Sequence, residues 1–203
     1  MTGTDSLNVW YGDQLVGQLW RNRQGLIGFR YDEDWLTPGK FAVSLQLPLQ
    51  ENDYPAEEGG IAHRFFANQL PEAGVRDQIV RDLKIPNTDF DLLRAIGGEC
   101  AGALSLIPAE REPDKNNNYR KLDKENLIQL IRRRGRILIS KDPKNRRPRF
   151  SLAGVQNKCP VLIKRGRYYL PVREAPTSHI LKFEIPGYSN IPAYETYTSL
   201  LAA

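Results

Sequence analysis

Three kinds of residue in the C-terminal part of the chain have the chemistry to hold a polyphosphate. The small side chains of Ala153 and Gly154 would let a turn approach phosphate oxygens closely. Lys182 lies in the apolar segment 180–183, and its ammonium group could bind the phosphates. Glu195 follows 13 residues later, and its carboxylate could hold that lysine in place. This order of residues predicts a phosphate-binding site formed by a turn, a strand and a helix.

The surrounding pattern predicts the elements that would position these residues. Strands are predicted at 150–153, 159–164, 168–172 and 180–183, with a tight turn at 165–167. Pro192 suits the first turn of a helix that would carry Glu195. A strand, a glycine turn, a lysine strand and a glutamate helix are the outline of the small lobe of a protein kinase. The G-x-G-x-x-G pattern of standard protein kinases is absent, so this outline alone is not a fingerprint.

The N-terminal half predicts a separate unit of strands and helices. A hairpin would turn at Gly12-Asp13, and further strands are predicted at 26–31, 41–47 and 101–107. Apolar residues at helical spacing predict helices over 61–70, 75–83 and 88–96. Thr88 has the capping-box spacing, and Gly97-Gly98 would close the third helix with a left-handed cap.

These patterns predict an α+β fold in two parts. We expect an antiparallel N-terminal sheet with helices over residues 1–109, followed by a partial protein-kinase-like small lobe over 121–203. Residues 110–120 are polar and have almost nothing to bury, so a linker is predicted there. Asp123 would cap the first helix of the second part, and that helix should end near Gly135.

Composition is that of an ordinary globular protein, with 40% hydrophobic and 26% charged residues. No apolar run approaches membrane-spanning length, and the N-terminus lacks the features of a secretory signal. Cys100 and Cys159 are too few for a disulfide framework, which favours core packing in a reduced, cytoplasmic protein. His63 and His179 are far apart, so no zinc site is expected, and we interpret both as packing or capping residues.

A strongly basic segment covers residues 132–149. It contains nine lysines and arginines and one acidic residue, which gives a net charge of +8. Such a segment attracts the phosphates of a nucleotide or of a nucleic acid. It could equally be a solvated connector, and the sequence leaves both interpretations open.

Two blocks of sequence resemble the HipA-like serine/threonine kinases, toxins of bacterial type II toxin–antitoxin systems. The first block comprises residues 65–72 (FFANQLPE), 89–93 (DFDLL) and 96–103 (IGGECAGA). The second comprises residues 150–158 (FSLAGVQNK) and 176–182 (PTSHILK). The two blocks occur in the family's order, and the resemblance extends over nearly the whole chain.

The resemblance implies a role for each residue of the predicted phosphate site. Lys182 would be the nucleotide-binding lysine and Glu195 its partner, although Tyr194 stands where the family usually has asparagine. Ser151 would be the autophosphorylation site, where an added phosphate would repel the nucleotide. The residues that would line the phosphates of ATP are Ala153, Gly154, Val155, Gln156, Asn157 and Lys158. ATP and Mg²⁺ are the cofactors that the resemblance implies for the complete enzyme.

A kinase also needs an aspartate that orients the attacking hydroxyl group and ligands for Mg²⁺, which follow the small lobe. None follows Glu195, so we expect an N-terminal fragment of a HipA-like kinase, truncated or split, that is inactive alone. The alternative is a non-catalytic binding or regulatory module of a split toxin–antitoxin kinase system. The partner would be a HipB-like antitoxin or a separately encoded kinase lobe. Direct nucleic acid binding through 132–149 has no helix-turn-helix or stacking motif to support it.

Overall fold

The computed structural model describes residues 5–97, 104–114, 116, 118–135, 153–154, 156–172, 175–185 and 187–202. The chain divides into two compact units. The first contains Met1–Asn116 and Arg149–Gly154, and the second contains Asn117–Pro148 and Val155–Ala203. Most of the basic segment 132–149 and the predicted strand 150–153, except Ala153, lie outside the described residues. Within the described ranges, no helix is both long and apolar enough to cross a bilayer.

The first unit is built on an antiparallel sheet. Among its described residues the strands are β1 (Ser6–Tyr11), β2 (Gln14–Arg21), β3 (Ile27–Tyr31) and β4 (Leu104–Pro108), in the order β3-β2-β1-β4. The predicted hairpin is confirmed, because β1 and β2 join through Gly12, whose φ of +61° suits glycine. Leu7, Val9 and Leu19 are fully buried, so one face of this sheet forms the core of the unit.

The strand predicted at 41–47 does not form. This stretch is a loop that carries one isolated bridge, between Ser44 and Leu47. Its backbone bonds to a side chain instead of to a strand, because Val43 N donates to the hydroxyl group of Tyr31, which donates to the carbonyl of Leu47. β4 pairs with the free side of β1 and completes the sheet. The prediction is wrong because a distant tyrosine satisfies backbone groups that a strand ladder would otherwise pair.

The helices predicted from apolar spacing are present in the described part of the first unit as α1 (Ile61–Ala67), α2 (Ala73–Leu83) and α3 (Asp89–Ile96). Phe66 of α1 and Phe90 of α3 are buried in the core. The predicted cap of α3 is also confirmed, because the Thr88 hydroxyl group accepts a hydrogen bond from Asp91 N over 3.2 Å.

Gly97 ends α3 for a different reason from the one predicted. Its φ is −73°, so the left-handed cap expected there is wrong at Gly97, and Gly98 lies outside the described residues. A Cβ atom at Gly97 would lie 2.4 Å from the Leu93 carbonyl oxygen and 2.9 Å from Leu106 Cβ. Glycine is therefore required because α3 ends directly against β4.

The second unit contains another antiparallel sheet. In the part of this unit that the structure describes, the strands are β5 (Tyr119–Leu122), β6 (Lys158–Lys164), β7 (Arg167–Pro171) and β8 (His179–Lys182), in the order β5-β7-β6-β8. The strands predicted at 159–164, 168–172 and 180–183 are confirmed within one residue at each end. Tyr119 and Arg120 begin β5 rather than belonging to a linker, because they pair with Pro171 and Leu170 of β7.

The second unit also contains the helices α4 (Lys124–Arg132) and α5 (Ile191–Leu201). The predicted cap of α4 is confirmed, because the Asp123 carboxylate accepts a hydrogen bond from Asn126 N over 2.8 Å. The chain leaves α4 through Gly135, which has a φ of +80° and donates to the Leu130 carbonyl over 2.9 Å. Cys159 is fully buried, which confirms its predicted core role, whereas Cys100 lies outside the described residues.

Ala73 begins α2 in a strained conformation. Its φ of +45° is left-handed, which costs a residue with a Cβ atom about 1 kcal/mol and costs glycine much less. Ala73→Gly should therefore raise the free energy of unfolding by about 1 kcal/mol in urea denaturation. As a control, Ala95→Gly within α3 should lower it by a similar amount. Destabilisation by both substitutions would contradict the strain assigned to Ala73.

Tyr31 ties the 41–47 loop to β3, and burial raises the pKa of its hydroxyl group to about 12. Because the folded state favours the neutral tyrosine, its stability contribution is complete below about pH 10 and is lost as the pH rises to about 12. Tyr31→Phe should cost about 1–3 kcal/mol at pH 7, since Val43 N and the Leu47 carbonyl lose their partner. It should also flatten the alkaline loss of stability over that pH range.

Urea denaturation at pH 7 and at several pH values between 9 and 12 would measure both effects. Tyr11→Phe is the matched control, because the Tyr11 side chain is half-exposed and its loss of a hydroxyl group should change the stability at pH 7 little. An unchanged alkaline slope in Tyr31→Phe would show that Tyr31 does not titrate in this way.

Candidate functional site

The centre of the candidate site is an ion pair between β8 and α5. Lys182 is the last residue of β8, and Glu195 lies in the second turn of α5. Lys182 Nζ donates a hydrogen bond to Glu195 Oε1. The two side chains remain 35% and 42% exposed. An ion pair as exposed as this one contributes little to stability.

The start of α5 places Glu195 where it can reach β8. Asn190 precedes the helix with a φ of +63°, a conformation that asparagine tolerates better than most residues. Its carbonyl accepts a hydrogen bond from Tyr194 N over 3.0 Å, which closes the first turn. Pro192 lies in that turn, as predicted, because a helix start needs no N–H group there.

The register between β6 and β8 brings a second lysine to the same face of the sheet. Lys158 lies directly opposite Lys182, and Pro160 lies directly opposite Ile180. Residues directly opposite in an antiparallel pair share a face, and like charges in such positions repel each other. Glu195 pairs with Lys182 and offsets part of that repulsion. The face therefore combines cationic groups at one end with apolar side chains beside them.

Gln156 and Asn157 have structural contacts at the end of the same strand pair. The Gln156 side-chain amide donates to the Phe183 carbonyl over 2.9 Å, and Phe183 N donates to the Asn157 carbonyl over 3.2 Å. These bonds continue the β6–β8 pairing beyond its last paired strand residues. Both residues were predicted to line phosphates, and sequence reasoning missed their contacts with Phe183.

Ala153 and Gly154 belong to the first unit, whereas Lys182 belongs to the second. Gly154 has a φ of +105° and forms a parallel bridge with Pro71. Glu72 N donates to the Gly154 carbonyl over 3.1 Å. Sequence reasoning missed this contact, although Pro71 and Glu72 end the block at 65–72 that carries the resemblance. The convergence of Gly154 with Lys182 on one phosphate site stays a prediction.

Two predicted site residues, Ser151 and Val155, lie outside the described residues. Among the residues that are described, no group of three or more His, Cys, Asp and Glu side chains is arranged to hold a metal ion. The nucleotide-binding roles of Lys158, Lys182 and Glu195 stay predictions.

The two histidines differ in their surroundings. His63 Nδ1 accepts a hydrogen bond from Ile27 N over 3.3 Å, and its Nε2 lies 3.5 Å from Asp89 Oδ2, so His63 links α1 and α3 to the sheet. His179 is exposed, and its Nδ1 lies 2.8 Å from Ser178 Oγ. The expectation of a packed residue is therefore wrong for His179, because the outer position of β8 leaves it in solvent.

Comparison with known proteins gives matches along both units. The family described as HipA N-terminal domain matches residues 7–107. The protein named "Putative kinase Y4mE" from Sinorhizobium fredii is 32% identical over 212 residues, which cover 97% of this chain and 47% of the relative. The serine/threonine-protein kinase toxin HipA of Shewanella oneidensis is 28% identical over 208 residues, which cover 98% of this chain and 44% of the relative.

A solved structure matches as well. It is the complex of HipA, HipB and operator DNA from Shewanella oneidensis, with a TM-score of 0.64 and 26% identity over 90% of this chain and 41% of the matched chain. The chain belongs to the HipA-like family. Its α+β fold with antiparallel sheets agrees with this membership, and it spans somewhat less than half the length of the curated relatives it matches.

The Gln156 contact generates a test within this HipA-like fold. Gln156→Ala should lower the free energy of unfolding by about 0.5–1.5 kcal/mol, because the Phe183 carbonyl loses its donor. Urea denaturation without nucleotide would measure the change. Gln129→Ala on the exposed face of α4 is the control and should cost nothing measurable. Equal stability of both variants would exclude a structural role for the Gln156 amide.

Proposed function

We propose that this chain is the nucleotide-holding part of a HipA-like serine/threonine protein kinase. The observation that carries the proposal is the contact between Lys182 on β8 and Glu195 on α5. In protein kinases a strand lysine binds the phosphates of ATP, and a helix glutamate holds that lysine in position. Family membership supports the same assignment.

The sheet face around Lys182 fits the two chemical parts of ATP. Lys182 and Lys158 supply positive charge for the phosphates. Ile180 lies on the same face, two residues before Lys182, and its side chain is 48% exposed. We propose that the adenine ring packs against Ile180, since a flat apolar ring suits an exposed apolar side chain.

The remaining residues of the predicted site keep their proposed roles. The residues proposed to line the phosphates are Ala153, Gly154, Val155, Gln156, Asn157 and Lys158, and Ser151 is the proposed site of autophosphorylation. Mg²⁺ would neutralise charge on the bound phosphates. Gln156 and Asn157 would act through the backbone or through the position of the segment, because their described contacts are with Phe183.

We also propose that the complete protein is a toxin kinase with a HipB-like antitoxin as its partner. The support is the matched complex of HipA with HipB and operator DNA. A kinase catalytic lobe, on the same polypeptide or separately encoded, would cover the outer face of α5. Support comes from four exposed apolar side chains on that helix: Tyr194, Tyr197, Leu200 and Leu201.

Nucleotide titration of the purified chain tests the proposed site. A fluorescent ATP analogue with Mg²⁺ should bind the wild-type chain, and Lys182→Met should weaken its binding roughly 10- to 100-fold, because a charge-assisted contact to phosphate is lost. Glu195→Gln should have a smaller effect of roughly 3-fold, since the lysine remains but is less well oriented. Unlabelled ATP should displace the analogue.

Lys164→Met is the matched control. Lys164 is an exposed lysine at the far end of β6, so its loss removes the same charge from the same sheet without touching the end that carries Lys182. Equal weakening by Lys164→Met and Lys182→Met would indicate general electrostatic attraction instead of a site. Failure of the wild-type chain to bind the analogue would overturn the proposed function.

A further inference from the structure

The connection between α1 and α2 contacts Gly154, one of the predicted phosphate-binding residues. We define the 70–72 connection as Leu70, Pro71 and Glu72. Pro71 forms a parallel bridge with Gly154, and Glu72 N donates to the Gly154 carbonyl over 3.1 Å. Leu70 and Pro71 are buried in the first unit. Gly154 is therefore anchored to a packed part of the N-terminal fold.

The donor in this anchor is available for a structural reason. Glu72 is the N-cap residue of α2, and the backbone N–H groups at a helix start have no partner within the helix. Pro71 has no N–H group at all. Glu72 N is thus a helix-end donor on this connection, and it donates to the Gly154 carbonyl.

The geometry on both sides of the bond is unusual. Gly154 has a φ of +105°, which glycine adopts far more readily than any other residue. Ala73, next to the anchor, has a φ of +45° despite its Cβ atom. Backbone strain persists where the surrounding fold enforces it, often beside a functional site.

The anchor orients Gly154 in a way that suits phosphate binding. Phosphate oxygens accept hydrogen bonds, so a turn that covers them must present donors and direct its carbonyls elsewhere. The hydrogen bond from Glu72 N holds the Gly154 carbonyl, so that its oxygen does not point at the phosphates and repel them. It also restricts Gly154 before the nucleotide arrives, which lowers the entropy cost of binding.

We propose that the 70–72 connection is a positioning element for the nucleotide. By holding the Gly154 carbonyl, it fixes the conformation of Gly154 and raises the affinity of the chain for ATP. This inference rests on the proposed function, because it concerns the same site.

Two variants of Glu72 distinguish the effect of its backbone N–H group on nucleotide binding from the effect of its side chain. Glu72→Pro removes the donating N–H group, whereas Glu72→Ala keeps it and removes only the carboxylate. In the same titration with fluorescent ATP analogue and Mg²⁺, Glu72→Pro should bind roughly 3- to 10-fold more weakly than wild type, the effect of one lost hydrogen bond. Glu72→Ala should bind within about twofold of wild type.

Amide hydrogen exchange of the wild-type chain provides a second measurement that needs no variant. Binding and anchoring are linked, so a non-hydrolysable ATP analogue with Mg²⁺ should slow exchange at the Glu72 amide. A merely structural role would leave this rate independent of the nucleotide. The Asp91 amide, bonded to Thr88 within the same unit, is the internal reference and should not respond.

The outcomes distinguish the inference from the function on which it rests. If wild type binds and Glu72→Pro binds equally tightly, or the Glu72 amide does not respond, the inference is wrong and the proposed function stands. Tighter binding by Glu72→Pro would mean that the connection inhibits, which also overturns the inference. If wild type does not bind the analogue, both are wrong.

Discussion

The register between β6 and β8 is the constraint on which the candidate site depends. Lys158 and Lys182 lie directly opposite each other, so a shift of one residue would send one of them to the other face. Cys159 and Val161, which alternate with Lys158, are fully buried, so β6 is anchored in the core with Lys158 on its opposite face. The apolar core of the second unit therefore fixes the position of its cations. The bond from Phe183 N to the Asn157 carbonyl continues this pairing past the last paired strand residues.

The position of Lys182 in its ion pair with Glu195 is set by that register. An exposed pair of charges stabilises a fold by at most about 1 kcal/mol, so it cannot by itself decide where β8 and α5 lie. The stability of the second unit comes from apolar side chains buried against its sheet. The two charges are positioned by a strand and a helix that fold because of that burial. The candidate site can therefore be exposed to solvent and still have a defined geometry. It also leaves both charges accessible to a ligand.

Local patterns were sufficient to predict most elements, and contacts between distant residues account for the failures. The hairpin at Gly12 and the Thr88 cap depend on neighbours within a few residues, so the sequence predicts them correctly. The sequence also predicts the pairing of Lys182 with Glu195, because the strand that carries the lysine is only 13 residues from the glutamate on the next helix. The loop at 41–47 alternates apolar and polar residues like a strand, but its backbone groups bond to the Tyr31 hydroxyl group instead of to another strand. Tyr119 looks like part of a linker because its strand partner, Pro171, lies far along the chain.

Backbone hydrogen bonds explain what the sequence could not reveal about the first unit. Every residue except proline carries the same N–H group, so the identity of Glu72 says nothing about the bond that its backbone makes. The resemblance at residues 65–72 marked the segment without giving a physical reason for it. The reason lies in the unsatisfied donors at the start of α2, one of which accommodates the Gly154 carbonyl. Because that donor exists only when α2 is folded, the conformation of Gly154 depends on the N-terminal unit.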